Sequence, residues 1–288
     1  MKIHTFTIVV GTTACNAKCP YCVSRMTPAS DLNTKDINWR NFDIACKFAI
    51  KKCDTVLLTG KGEPTLSPDL VSEYLRHMEH YDFAFRELQT NGIRIEKDAS
   101  DGSYSHIDPH LKTWYELGLT TVSVSIAHHN PIENLRILRI KENYNFWNTV
   151  DKLHDFGFSV RINCTLTKDG VDNKDQLNEL MMQCDIHNVE QTTIRMVTVP
   201  EKSENEEVYR WTKEHQFDPY DLDCYIRKHA TKLLELPHGG VVYDYKGQNL
   251  CWANCLTGTT DPENIRQLIF FPNGKLRYDW RYKGAIIL

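Results

Sequence analysis

The sequence predicts an α/β fold, a partial (β/α)6 TIM-like barrel with a C-terminal extension. Three observations predict it. Apolar or alternating runs of strand length alternate with segments of helical periodicity up to about residue 200, the rhythm of a mostly parallel sheet. There are about six such units, fewer than the eight of a closed barrel. After Pro200 the rhythm breaks at a charged run, EKSENEE. Two parts are therefore expected: residues 1–200 as the barrel, and 201–288 as a helical and β-hairpin extension capping its mouth.

The elements follow in order. Residues 2–10 alternate and then run apolar, as a first barrel strand does. A cysteine loop occupies 11–26. Residues 38–52 space their apolar side chains as a helix. Residues 54–58 (DTVLL) read as a buried strand that runs into Gly60-Lys61-Gly62-Glu63-Pro64. A helix over 68–80 precedes a strand over 83–89, which ends on Thr90-Asn91-Gly92, a turn signal. Helices over 110–117, 145–156 and 174–183 then alternate with strands over 121–126, 159–166 and 191–199. Beyond the break, 209–236 reads as helical. Pro272-Asn273-Gly274, flanked by 268–271 and 275–280, reads as a hairpin.

Composition narrows the partners. The net charge of −4 gives no electrostatic case for nucleic acid. No apolar run approaches the roughly 20 residues that span a bilayer, which argues against a membrane. The N-terminus lacks a small-residue cleavage site, so the expected compartment is cytoplasmic. Ten cysteines in such a compartment read as metal ligands, catalytic groups or core residues rather than disulfides.

Three of them cluster as Cys15-x3-Cys19-x2-Cys22. A structural zinc site wants four ligands, and no fourth Cys or His lies close by. A zinc site completed from a distance and a set of core thiols are two readings. A non-catalytic metal-binding module would use the first. The third is an iron–sulfur cubane, on which three thiolates leave one iron open for another ligand.

At this point the sequence resembles the radical S-adenosylmethionine (SAM) superfamily, whose signature is CxxxCxxC. The resemblance implies a [4Fe–4S] cluster on Cys15, Cys19 and Cys22, with the SAM amino and carboxylate groups on the open iron. One electron, from an external donor such as flavodoxin or ferredoxin, then yields a 5′-deoxyadenosyl radical. That radical abstracts hydrogen from a small-molecule or nucleotide-like substrate. Tyr21 stands where the family carries an aromatic beside the adenine. Gly60, Lys61, Gly62 and Glu63 are similar to its GGEP motif, with Lys61 breaking the pattern, and suit the donor-only SAM ammonium. Thr90 and Asn91 belong to a turn like its TNG.

Ser123 and Ser125 share one face of their strand, opposite Val122 and Val124. The resemblance puts a SAM-contacting Ser there. Arg161 and Asn163 repeat the pattern on the next strand, where similar enzymes meet the SAM carboxylate with a basic residue. Arg195 on the sixth strand suits a substrate anion, SAM or a structural ion pair. His128 and His129 follow the fourth strand at the end that faces a barrel's active site, suiting substrate contact or proton transfer. Cys251 and Cys255 form a late pair. A second Fe–S cluster with Cys224, a hydrogen-atom donor and structural thiols are the readings for them.

Within that superfamily the chain resembles the cyclic-pyranopterin (molybdenum cofactor) synthases. The chain departs from them. It lacks their second-cluster spacing, their Gly-Gly-Arg-type tail and, before GKGEP, the basic residues used on GTP. Peptide modification and glycyl-radical activation of a partner protein are the alternative activities. The lack of an N-terminal recognition segment weakens the first and the chain length the second.

Overall fold

A computed structural model describes residues 2–28, 32, 34–96, 107–236, 239–253 and 264–288. The first six strands are β1 (Lys2–Val9), β2 (Thr55–Thr59), β3 (Phe85–Thr90), β4 (Thr121–Ile126), β5 (Ser159–Leu166) and β6 (Gln191–Met196). They lie side by side in that order, all parallel. The helices between them are α1 (Val23–Met26), α2 (Trp39–Ala49), α3 (Pro68–Met78), α4 (Ile93–Glu96), α5 (Asp108–Glu116), α6 (Pro131–Leu138), α7 (Phe146–Asp155) and α8 (Lys174–Ile186).

Asparagine starts many of these helices. Side chains of Asn38, Asn130, Asn145 and Asn173 accept the first free N–H groups of α2, α6, α7 and α8, which is the capping function this residue favours. Helix α6 also has Pro131 in its first turn. That Asn-Pro signal lies in the sequence and marks a helix additional to those expected above.

The region after Pro200 contributes α9 (Glu206–Glu214), α10 (Tyr220–His229), β7 (Thr231–Glu235), β8 (Val241–Tyr245), β9 (Gln248–Ala253), β10 (Asn264–Phe270) and β11 (Leu276–Arg277). Its strands do not stand apart from the barrel. β9 pairs parallel with β6 and β10 pairs parallel with β1. Eight parallel strands result, with β11 at one margin and the β8–β7 pair at the other. The sheet is an open barrel. The hairpin expected about Pro272-Asn273-Gly274 is present as β10 and β11, antiparallel. Residues 231–235, expected to continue a helix, form β7 instead, because they pair antiparallel with β8. All five are exposed, so no apolar periodicity announces them.

Alternation along the strands separates two environments. Phe6, Ile8, Val56, Leu58, Leu88, Val122, Val124, Val160, Ile162 and Ile194 are buried in one apolar core with helix residues such as Phe42, Tyr74, Leu75, Val150 and Leu180. Burial of this kind is the main stabilising term, roughly 2 kcal/mol for each large side chain. The residues between them, including Glu87, Ser123, Arg161, Asn163 and Arg195, face the lumen. No helix of the described residues is long and apolar enough to cross a membrane.

Candidate active site at the strand ends

The loops after β1, β2 and β3 meet at the rim where these strands end. The contact between the first two is backbone on backbone. Glu63 N–H donates to the Ala14 carbonyl at 2.9 Å. A Cβ at Gly62 would lie 2.0 Å from that same carbonyl oxygen, and one at Gly60 would lie 2.7 Å from the Val10 oxygen. Glycine at 62 is therefore what lets the GKGEP turn touch the cysteine loop one residue before Cys15.

Glu63 ties in the third loop. It is buried, and its Oε1 accepts from Thr65 N–H (3.0 Å), Thr65 Oγ1 (2.7 Å) and Thr90 Oγ1 (2.6 Å). Its Oε2 accepts Asn91 N–H at 2.8 Å. Burial pushes the Glu63 carboxyl pKa up, and the bonds from Thr90, Asn91 and Thr65 pull it back. Asn91 closes the circuit, since its Nδ2 donates to Asn16 Oδ1 at 2.8 Å and approaches Cys15 Sγ at 3.8 Å. Gly92 follows with φ +78, and the Asn91 carbonyl accepts Tyr144 Oη at 2.9 Å. Asn16, Thr65 and Tyr144 were not expected here. The only sequence signal for the first two is adjacency to a motif.

Cys15 is exposed, while Cys19 and Cys22 are half-buried, and all three are free thiols. Burial pushes the Cys19 thiol up, and the negative charge that Cys22 and Cys15 would carry adds to this. Burial also raises Cys15, with Glu63 and Cys22 as its charged neighbours. The three thiols thus lie within electrostatic reach of one another. Among the described residues no three His, Cys, Asp or Glu side chains converge on a single metal ion. A cubane makes no such demand, because each thiolate takes a different iron. Three soft sulfur donors, with no fourth ligand grouped with them among the described residues, fit a [4Fe–4S] group with one open iron.

Two expected residues take positions of their own. Tyr21 is half-buried against the Trp211 ring of α9 (5.9 Å between centroids), with its hydroxyl hydrogen-bonded to Thr165. Lys61 is 6% exposed, and its Nζ donates to Thr27 Oγ1 and lies 5.3 Å from the centre of the Trp280 ring. Desolvation lowers its pKa to about 8.

The lumen carries a polar network across the strands, with Ser123 hydrogen-bonded to Glu87. Ser123 on β4 accepts from Asn163 Nδ2 on β5 (3.1 Å), and Asn163 Oδ1 accepts from Arg195 Nη2 on β6 (2.6 Å). Arg195 Nε is buried and has no hydrogen-bond partner. Arg161 does not stand open as a clamp for a carboxylate ligand. Its Nη1 pairs with buried Glu87 at 2.5 Å, and its Nε and Nη2 donate to Gln191 at 2.8 and 2.5 Å. Sequence reading missed Glu87 and Gln191. The signal was there for Glu87, a charge in mid-strand two residues from Gln89 in FRELQT. Ser125 is half-buried, opposite Asn163 in the register.

The histidines turn from the lumen. His128 is buried and its Nδ1 accepts Asn130 N–H at 2.9 Å, so the ring holds the turn into α6 rather than offering itself to a substrate. His129 meets Gln176 at 2.8 Å and lines a groove of about 460 Å³ with Trp147 and His187 on the helix side. The late cysteines also separate. Cys251, opposite Thr193 of β6, feels the charges of Arg161 and Arg195. Cys224 is exposed on α10 beside Tyr220. Cys255 lies outside the described residues.

Fold and site together define an open α/β barrel with a three-thiol loop latched to its strand-end rim. Residues 9–184 match the family model of the Radical SAM superfamily, and the chain belongs to that family. Its members use a [4Fe–4S] cluster and SAM for radical chemistry. The chain is 29% identical over 167 residues to a GTP 3′,8-cyclase of Haemophilus influenzae, covering 54% of this chain and 43% of that protein. A GTP 3′,8-cyclase of Vibrio vulnificus is 27% identical over 162 residues (55% and 44%). The chain thus spans less than half the length of these curated relatives. Among solved structures, Streptococcus suis SuiB bound to SAM superposes with a TM-score of 0.62 at 16% identity. The match covers 98% of this chain and 62% of that one, and it is a likeness of fold.

Proposed function

We propose that Cys15, Cys19 and Cys22 hold the [4Fe–4S] cluster, and that SAM lies against the Glu63–Thr90–Asn91 latch. The substrate is a small anionic, nucleotide-like molecule in the lumen, from which a hydrogen atom is removed. Bound there, the cluster and SAM supply the radical, on receipt of one electron from a donor such as flavodoxin or ferredoxin. Glu63 Oε2 accepts one bond from the chain and has a further lone pair for an ammonium. Ser123, Ser125 and Asn163 give the lumen wall its polar lining. Asn163 holds the Arg195 guanidinium in place.

The observation that carries the substrate class is Arg195. Its Nε is a charged donor, buried and unpartnered, on a lumen strand. An unmet donor of this kind favours a ligand that brings an anionic oxygen.

Anaerobic reconstitution tests the first part. About four iron and four sulfide per chain are expected, with 5′-deoxyadenosine released from SAM after reduction. Alanine at Cys15, Cys19 and Cys22 together removes both. For the second part, nucleotides and small carboxylates are screened for those that accelerate that release. Arg195→Leu is expected to abolish the acceleration while leaving the slow uncoupled release intact. Acceleration only by peptides or by a partner protein would select one of the alternative activities.

A further inference from the structure

Lys61 departs from the glycine-rich pattern of its own motif, and its surroundings do not account for its charge. The side chain is 6% exposed. Its ammonium has three donors, yet its partners are one neutral hydroxyl, Thr27 Oγ1, and the face of Trp280. Among the described residues no carboxylate pairs with it. Arg277, itself 3% exposed, is close enough to act on it as a like charge. An ammonium buried without an anion is costly, and burying a second cation nearby raises the cost.

The anion that would offset this charge is indicated by what Lys61 is braced against. Its neighbours Gly62 and Glu63 abut Ala14, the residue before Cys15. Its Nζ holds Thr27, which closes α1, and Cys22 caps the start of that same helix. Lys61 therefore reaches both ends of the cysteine loop. The acidic group acting on it most strongly is the Cys22 thiol. Trp280 packs with Val9, Ile269 and Phe271, covering the ammonium and lowering the local dielectric, so that charges nearby act more strongly.

We infer that Lys61 is the counter-cation of the metal group on the cysteine loop and raises its reduction potential, an inference that rests on Cys15, Cys19 and Cys22 holding a [4Fe–4S] cluster. Three thiolates give that group a net negative charge, and taking up one electron makes it more negative. A fixed positive charge favours the reduced form, and net charge is one of the levers that set such potentials.

The test is a redox titration of the reconstituted full chain without SAM, read by electron paramagnetic resonance, on wild type, Lys61→Met and Lys61→Arg. Methionine keeps the length and removes the charge, while arginine keeps the charge. At a fixed ambient potential, Lys61→Met is expected to lower the ratio of reduced to oxidised cluster about tenfold, a one-electron shift of about −59 mV. Lys61→Arg is expected to stay close to wild type. Iron loss from Lys61→Met alone also supports the inference, because only the uncharged variant then fails to retain an anionic group. A wild-type potential in Lys61→Met overturns it, and so does an equal shift, or iron loss, in both variants. A potential that differs only once SAM is added also overturns it, by placing Lys61 on the SAM carboxylate. If wild type itself takes up no cluster, the reading of the cysteine loop fails, a result distinct from all of these.

Discussion

The rim at the ends of β1–β3 and the lumen wall of β3–β6 and β9 are both polar, and they are built differently. At the rim, contacts join short contiguous motifs. Gly62 touches Ala14, Glu63 receives Thr65, Thr90 and Asn91, and Asn91 reaches Cys15. Along the wall, single residues from separate strands are joined by register alone. Ser123, Asn163 and Arg195 are joined in one run and Glu87, Arg161 and Gln191 in another, and a bond from Ser123 to Glu87 links the two. The rim positions a group by shape and backbone. The wall balances buried charges against each other.

The largest expected effect breaks the wall. Arg161→Met leaves the buried Glu87 carboxylate without its paired cation, with only the charge of Arg195 and the Ser123 hydroxyl acting on it, at a cost of about 3 kcal/mol. Because the cost lies in the stranded charge, Arg161→Met with Glu87→Leu is expected to recover most of it. Urea unfolding midpoints of wild type, single and double variants read both numbers. A double variant no better than the single would mean that Arg161 acts through packing.

Breaking the rim has a different signature. Gly62→Ala forces a methyl into the Ala14 carbonyl, an overpacking worth about 2 kcal/mol, with the strain falling on the cysteine loop. The expected outcome is a modest loss of stability and a large loss of iron retained after reconstitution. Arg161→Met, by contrast, is expected to keep its iron. Glu63→Gln is milder. The amide keeps the shape but gives up charge-assisted acceptance from Asn91 and Thr90, about 1 kcal/mol. It is read by thermal unfolding and by weaker SAM binding to the reconstituted chain.

The same contrast explains what the sequence made legible. Cys15-x3-Cys19-x2-Cys22, GKGEP and Thr90-Asn91-Gly92 could be read because each is local and its chemistry is carried by neighbours in the chain. The strands at 121–126 and 159–166 fall where expected, since valine and isoleucine alternate with polar residues there. The pairing of Arg161 with Glu87 was not legible. It depends on residues 74 positions apart, and only the assembled sheet sets that register. The placement of β9 and β10 on opposite flanks of the six-strand set is nonlocal for the same reason. Lys61 was legible as a departure from pattern, while its burial beside Trp280 needed the C-terminal chain in place.

His128 sits where the fourth strand leaves the wall, and it gives the smallest effect. Its Nδ1 accepts Asn130 N–H, which a protonated ring cannot do. Burial lowers its pKa below 6.5, as does the positive charge of its neighbour His129, while Glu133 acts to raise it, Arg136 to lower it and Asp172 to raise it. The folded chain therefore resists the proton that the unfolded chain accepts. Between the lowered value and about 6.5 the unfolded state binds more protons, so stability rises with pH across that window. The contribution is fully present above 6.5 and is lost as pH falls through the lowered value. Urea midpoints measured from pH 7.5 down to 5 are expected to decline less steeply in His128→Gln than in wild type. Equal slopes would mean that the ring is not held neutral by the turn, and would return His128 to the list of groups free to face the lumen.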